Sequence, residues 1–255
     1  MKKIIYTLNI NNYAPEIREI TRPALESYAN KIGADIFDIT KRKYPEFGVT
    51  YEKVQIYDLA KEHKADWNIY LDSDALIHPD FYDITSVLSK DTVCHNAKDF
   101  APNRWKYDKY FLRDGRHIGS GNWLAVASDW CIDLWHPTEL TPEEAYANIF
   151  PTLKEKLGCT TSEHLIDDYV LSRNIARYGL KVKTVRELGE EFGGYAQAKL
   201  LFHRYNIPHE QKVKEMKNVW ENWHGDGKQM VSIDKAKLDE IIAKANANID
   251  KELAK

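Results

Sequence analysis

Two aspartates one residue apart, Asp72 and Asp74 in the run Trp-Asn-Ile-Tyr-Leu-Asp-Ser-Asp-Ala-Leu-Ile that starts at Trp67, are the groups in this chain best suited to chemistry. They follow a nearly all-apolar stretch, Trp67–Leu71, that reads as a short strand of the kind covered on both faces of a sheet. Carboxylates at the carboxyl end of such a strand stand where open α/β sheets bind ligands. Hard oxygen ligands in that position suit Mg²⁺ or Mn²⁺, which can bridge a diphosphate and neutralise charge developing on it. The plain alternative is that both acids solvate a strand end or cap the next turn. The apolar segments on either side weigh against it, since unpaired charges there are costly.

Further groups have a chemical and a structural reading each. Asp167 and Asp168 open a helical stretch, Leu165–Tyr178, where acids also favour the helix N-terminus through the macrodipole. His203 ends an apolar stretch, Lys199–His203; it is a metal ligand or a satisfied structural histidine, and His224 competes for the ligand role, with Lys228 then reaching a phosphate. Lys53 and the loop Lys41-Arg42-Lys43 offset the phosphates of a ligand or are simply solvated. Trp105, Tyr107, Tyr110 and Phe111, interleaved with Arg104, Lys106 and Lys109, line a cleft whose aromatic faces suit sugar rings or pack over the core.

These groups must be positioned by elements that the pattern predicts in alternation. A strand at Lys3–Ile10 leads into a helix from Pro15 to Ile32, ended by Gly33 and split or kinked at Pro23. A strand at Asp35–Ile39, a helix over Thr50–His63 and the Trp67–Leu71 strand complete a β-α-β-α-β opening, which implies a parallel sheet. Beyond it the spacing predicts a short helix at Asp80–Leu88, a strand at Thr92–His95, and an aperiodic excursion over Asn96–Arg116. A strand at Asn122–Ala127 feeds a helix at Ser128–Leu134, and helices follow over Pro142–Leu157 and Leu165–Tyr178, the latter closed by Gly179. Strands at Lys181–Val185 and Lys199–His203 flank the Gly193-Gly194 loop, and from Ser232 a charged amphipathic helix ends the chain.

Composition sets the outer bounds. The chain has 255 residues, 36 Lys+Arg against 39 Asp+Glu and a formal charge of −3, with 43% hydrophobic residues. That fits one large globular domain and gives no general electrostatic reason to bind nucleic acid. Three scattered cysteines, Cys94, Cys131 and Cys159, suit free thiols in a reducing cytoplasm rather than a disulfide framework. Asn9, Asn11 and Asn12 cut the first apolar run too early for a signal peptide, and no stretch approaches the roughly 20 apolar residues of a membrane span.

The site-bearing residues resemble the GT-A glycosyltransferases, whose signature is an Asp-x-Asp after a strand, typically Tyr-Leu-Asp-x-Asp, as at Tyr70–Asp74. Ile4-Ile5-Tyr6-Thr7 with Asn9 and Asn12-Tyr13 looks like that family's first strand and nucleotide-facing loop. Ile118–Trp123 looks like its glycine-containing segment near the donor sugar, Asp167–Leu171 like its acidic pair opening a helix, and Leu200–His203 like the late strand that delivers a metal-binding histidine. The resemblance covers residues 3 to 205. It implies a GT-A-like α/β domain over 1–230, with a mixed, mostly parallel sheet and helices on both faces, plus the C-terminal helix over 231–255. It also implies Mn²⁺ or Mg²⁺ on Asp72, Asp74 and His203, and nucleotide-sugar contacts from Thr7, Asn9, Tyr13, Lys53, Asp72, Ser73, Gly121 and Asn122.

On that basis the expected activity is transfer of a sugar from a nucleotide-sugar donor to a hydroxyl acceptor on a glycan or glycoconjugate. Asp168 is the expected general base, oriented by Asp167, if the stereochemistry inverts; if it is retained, the pair holds the sugar instead. Three alternatives stand beside it. One is a non-catalytic nucleotide- or carbohydrate-binding protein on the same fold. A second is a nucleotidyltransferase, whose glycine-rich first loop Asn9–Ala14 lacks. The third is an Asp-x-Asp phosphatase, whose nucleophilic motif follows the first strand rather than the third.

Overall fold

The computed structural model describes residues 1–98, 119–151, 161–191, 200–204 and 207–224. The expected helix over 231–255, the aromatic stretch around Trp105–Phe111, Cys159, the Gly193-Gly194 loop and Lys228 lie outside them. A six-stranded sheet forms the centre, in the order β2-β1-β3-β6-β5-β7, built from β1 (Lys3–Leu8), β2 (Ala34–Ile39), β3 (Trp67–Leu71), β5 (Thr92–Lys98), β6 (Gly119–Ser128) and β7 (Lys181–Thr184). β1 is parallel to β2 and to β3, and β5 to β7; only β6 runs antiparallel to its neighbours β3 and β5. A second ribbon pairs β4 (Leu76–Ile77) antiparallel with β8 (Leu201–Phe202).

Period-2 alternation in the strands sorts the core onto two faces. Ile5, Ile69, Leu71, Leu124 and Val126 pack beneath Leu25, Tyr28 and Ile32 of α1 (Pro15–Ile32) and Leu188 of α5 (Val185–Glu191). On the opposite face Ile4, Tyr6, Tyr70, Val93 and Ala125 meet Ile56 and Ala60 of α2 (Ile56–His63) and Leu171 and Ile175 of α4 (Ile166–Tyr178). Every residue of β3 is buried, Asn68 included, as a nearly all-apolar central strand requires. Burial of this kind stabilises by roughly 1.5–3 kcal/mol per large side chain.

Several boundaries differ from those the sequence predicts, each for a local reason. Pro23 neither splits nor ends α1. It sits on the exposed face, as does Glu19 one turn before, so the carbonyl that loses its partner can bond to water. The helix expected over Thr50–His63 divides into a 3-10 turn, Val49–Gln55, and α2. Residues Asp80–Leu88 form only a 3-10 turn at Ile84–Ser86, because the Asp83 carboxylate accepts from the Thr85 amide and hydroxyl and competes with helix. Asp129–Trp135 is likewise 3-10, interrupted at Cys131. Of the helix expected over Pro142–Leu157, α3 (Pro142–Tyr146) forms and ends where the Asn148 side-chain amide takes the Glu144 carbonyl and Pro151 restricts the residue before it; residues 152–157 lie outside the described ones.

Other elements extend or add to the expectation. β5 runs on to Lys98, into the stretch read as aperiodic, and β6 starts at Gly119 rather than Asn122, so Gly119 and Gly121 lie in the strand. β4, α5 and α6 (His209–His224) have no counterpart in the sequence reading. α1 and α4 end as expected on left-handed glycines, Gly33 at φ 67° and Gly179 at φ 62°. Cys94 and Cys131 are buried free thiols. Among the described residues no helix is long and apolar enough to cross a membrane.

Candidate functional site

The carboxyl ends of parallel β1 and β3 share one edge of the sheet, and antiparallel β6 brings its beginning there. The Asp72 amide donates to the Trp123 carbonyl (2.8 Å) and the Ala75 amide to the Asp72 carbonyl (2.9 Å), so the Asp-x-Asp turn is fixed to both β6 and itself. Thr21 of α1 holds the Ser73 carbonyl through its hydroxyl at 2.7 Å. β4 follows at once, and its pairing of Leu76 with Phe202 sets the next residue of β8's strand path, His203, beside Asp74. The result is a cluster in which one ligand atom each of Asp72, Asp74 and His203 lies within 4.8 Å of the others. His203 Nε2 is 3.3 Å from Asp74 Oδ1 and 3.9 Å from Asp72 Oδ2. Its ring stacks on Trp123, with centroids 5.2 Å apart.

Two buried ammonium groups and a phenol tune this cluster. Lys212, on the inner face of α6, contacts Asp74 Oδ2 at 2.5 Å. Burial alone would raise the Asp74 carboxyl, but His203 and Lys212 outweigh it and hold Asp74 well below the ordinary carboxylate range. Tyr70 donates its hydroxyl to Asp72 Oδ1; burial and the Asp72 charge push the phenol far up, which keeps it a donor. Lys53 is 3% exposed, with its ammonium 2.6 Å from Asp167 Oδ2, 3.2 Å from Asp72 Oδ1, 3.1 Å from the Asn122 carbonyl and 4.6 Å from the centre of the Tyr70 ring. Burial would lower this lysine, but Asp167 and Asp72 more than compensate and hold it charged.

Lys53 thus joins the Asp-x-Asp turn to the acidic pair on the first turn of α4. Asp167 is buried against it, and Asp168 accepts from Asn122 Nδ2 at 2.6 Å. Tyr13 is 55% exposed, and burial of its hydroxyl end beside Asp74 and Asp72 pushes its phenol up to about 12. Thr7 Oγ1 and Asn9 Oδ1, at the end of β1, are buried and make no hydrogen bond among the described residues. Those orphaned acceptors are what a ligand's polar groups would satisfy.

Of the residues expected to form a site, the structure therefore gathers Thr7, Tyr13, Lys53, Asp72, Ser73, Asp74, Asn122, Asp167, Asp168 and His203 along one edge, with Asn9 just past β1 and Gly121 in β6. The Lys53 ammonium is spent on carboxylates rather than standing open for donor phosphates. The basic loop is likewise occupied, with Arg42 on Glu52 and Lys43 on Asp58. His224 is the last residue of α6. Sequence reasoning missed Lys212, Tyr70, Trp123 and His95. Only Tyr70 carried a signal, as a polar tip two residues before Asp72 in a nearly all-apolar strand.

The donor set fits a divalent cation. Two carboxylate oxygens and an imidazole nitrogen match the preferences of Mn²⁺, and Mg²⁺ less closely because of the nitrogen.

No family model matches the chain, and no curated protein does. Among solved structures, a glycosyltransferase involved in glycosylation of the major capsid of PBCV-1 is similar over 86% of this chain and 100% of its own, with 15% identity and a TM-score of 0.50. A Drosophila β-1,4-galactosyltransferase 7 mutant, solved with manganese, UDP-Gal and xylobiose, is similar over 93% of this chain and 79% of its own, with 11% identity and a TM-score of 0.42. The first of these likenesses shows that the chain adopts the GT-A glycosyltransferase fold.

Proposed function

We propose that this chain, folded as a GT-A glycosyltransferase, is a metal-dependent enzyme that moves a sugar from a nucleotide-sugar donor to a hydroxyl acceptor on a glycan or glycoconjugate. The observation that carries the reading is the convergence of Asp72, Asp74 and His203 at the carboxyl end of β3. Fold alone hosts many functions, so the site has to decide.

Asp72, Asp74 and His203 hold the cation, Mn²⁺ or Mg²⁺, which when bound offsets the charge that develops on the departing diphosphate. Thr7, Asn9 and Tyr13 orient the nucleoside, and Lys212 adds positive charge beside Asp74. As the bond from the anomeric carbon to the diphosphate oxygen breaks, the acceptor oxygen bonds to that carbon through an oxocarbenium-like state. Asp168 takes the acceptor's hydroxyl proton, with inversion as the outcome. Asp167, neutralised by Lys53, stays in place as structure rather than as a second base.

The test is a panel of nucleotide sugars with Mn²⁺, read by release of nucleoside diphosphate. Asp74→Ala is expected to lower turnover at least about 100-fold with an unchanged circular dichroism spectrum. Full turnover in that variant overturns the metal assignment.

A further inference from the structure

Behind Asp168 lies a buried pair of polar side chains that the proposed chemistry does not use. Asn122 is 2% exposed; its Nδ2 donates to Asp168, while its Oδ1 makes no hydrogen bond to the described residues. His95 on β5 is completely buried, and the described residues complete no hydrogen bond to either ring nitrogen. The group nearest in effect to this imidazole is the Asn122 side chain, with the Lys53 charge also close.

The backbone brings the two to one face of the sheet. β5 and β6 pair His95 with Ala125 but then Ala97 with Ser120, so a bulge accommodates extra residues of β6 opposite a single residue of β5. Bulges of this kind re-aim side chains and cluster beside functional sites. Here the bulged segment contains Asn122, and it turns that side chain toward the face that carries α4 and His95.

We propose that His95 is a positioning residue for the transfer reaction: its neutral imidazole donates to Asn122 Oδ1 and so fixes the Asn122 amide with its NH₂ toward Asp168. A primary amide has a donor end and an acceptor end, and a carboxylate is acceptor-only. If the amide turned over, its oxygen would face the Asp168 carboxylate and the general base would lose its anchor. A buried donor on Oδ1 forbids that rotation. Burial, opposed only by the Asn122 contact, pushes His95 down to about 4, so it stays neutral and keeps one N–H to give.

The inference rests on Asp168 acting as base in the proposed transfer, and two measurements separate its failure from the failure of that reading. The first needs no substrate. In the full chain labelled with ¹⁵N-histidine, the His95 ring is expected to show a single neutral tautomer with a slowly exchanging ring proton at pH 7. That proton is expected to shift or exchange rapidly in folded Asn122→Ala. An unchanged His95 signal in Asn122→Ala overturns the contact, whatever the enzyme's activity.

The second measurement is steady-state transfer with Mn²⁺ and the nucleotide sugar selected by the panel. His95→Phe is expected to lower kcat about tenfold with an unchanged donor KM, and His95→Gln, which keeps a donor, to recover most of the loss. Wild-type kcat in His95→Phe, or no recovery in His95→Gln, overturns the positioning role. Normal turnover in Asp168→Asn would instead remove the base assignment, leaving the spectroscopic result to decide the contact alone.

Discussion

Replacing Lys53 with methionine removes one ammonium from a place where water cannot substitute for it. The residue is 3% exposed and its ammonium lies 2.6 Å from Asp167, itself 6% exposed, and 3.2 Å from Asp72. Methionine fills much the same volume, so the change isolates charge. Breaking a buried pair and stranding its partner costs about 3–5 kcal/mol. For a chain of this size each kcal/mol moves Tm by about 2–4 °C, which places the variant roughly 10 °C below the parent. Exchanging both members, Lys53→Met with Asp167→Asn, leaves no stranded buried charge at that position and is expected to recover more than half of the loss. Urea unfolding of the parent, both single variants and the double variant gives the coupling directly. A single variant that loses less than about 1 kcal/mol, or a double variant no more stable than Lys53→Met, refutes the account of Lys53 as the internal counter-ion of the acidic cluster.

Three further outcomes follow from positions outside the ligand set. His95 is held neutral with a pKa near 4 against an ordinary 6.5, so between those values the unfolded chain binds a proton that the folded chain refuses. Stability therefore falls as pH drops from about 6.5 toward 4, by about 3 kcal/mol from this group, and urea unfolding of His95→Gln across that window is expected to lack this component. Gly48→Ala would place a Cβ 2.2 Å from the Glu163 carbonyl oxygen, forcing apart two backbone segments; a loss of about 2 kcal/mol is expected by calorimetry, from overpacking. Ala14 has φ 48°, a left-handed conformation that a side chain disfavours by about 1–2 kcal/mol, but its methyl is buried beside Ile17 and Met216; losing it costs about 0.8 kcal/mol and glycine's chain entropy a similar amount, so Ala14→Gly is expected to leave Tm within about 2 °C of the parent by calorimetry.

The elements legible in the sequence were those whose pattern is local. The β1–α1–β2 opening, β3 with Asp72 and Asp74, and α4 with its glycine stop each carry their periodicity and terminators within one stretch of chain. His203 was legible because it ends an apolar run. α6 is hidden in the sequence although Val213, Met216, Val219, Trp220 and Trp223 form a stripe at helical spacing, because the dense charge between them masks its amphipathic period. β4 is two residues long, too short for any period. Lys212 carried no signal, since nothing in its neighbours distinguishes it from Lys214 or Lys217; only the packing of α6 against α1 turns it toward Asp74. The same holds for His95, whose environment is created by a bulge in a different strand.

The β4–β8 ribbon gives this protein an order of assembly. The last strand of the main sheet ends at Thr184, but the groups meeting at Asp74 are not complete until His203 and then Lys212, 138 residues further along the chain, have arrived. As the chain leaves the ribosome, then, the sheet can close while the proposed cation site is still missing its imidazole. Loop closure over that span is slow compared with local contacts. A divalent ion that binds only the finished arrangement pulls the equilibrium toward it by mass action. A cation held by Asp72, Asp74 and His203, as proposed, would act as a seal on the last step of folding, and its removal is expected to loosen the ribbon before the sheet.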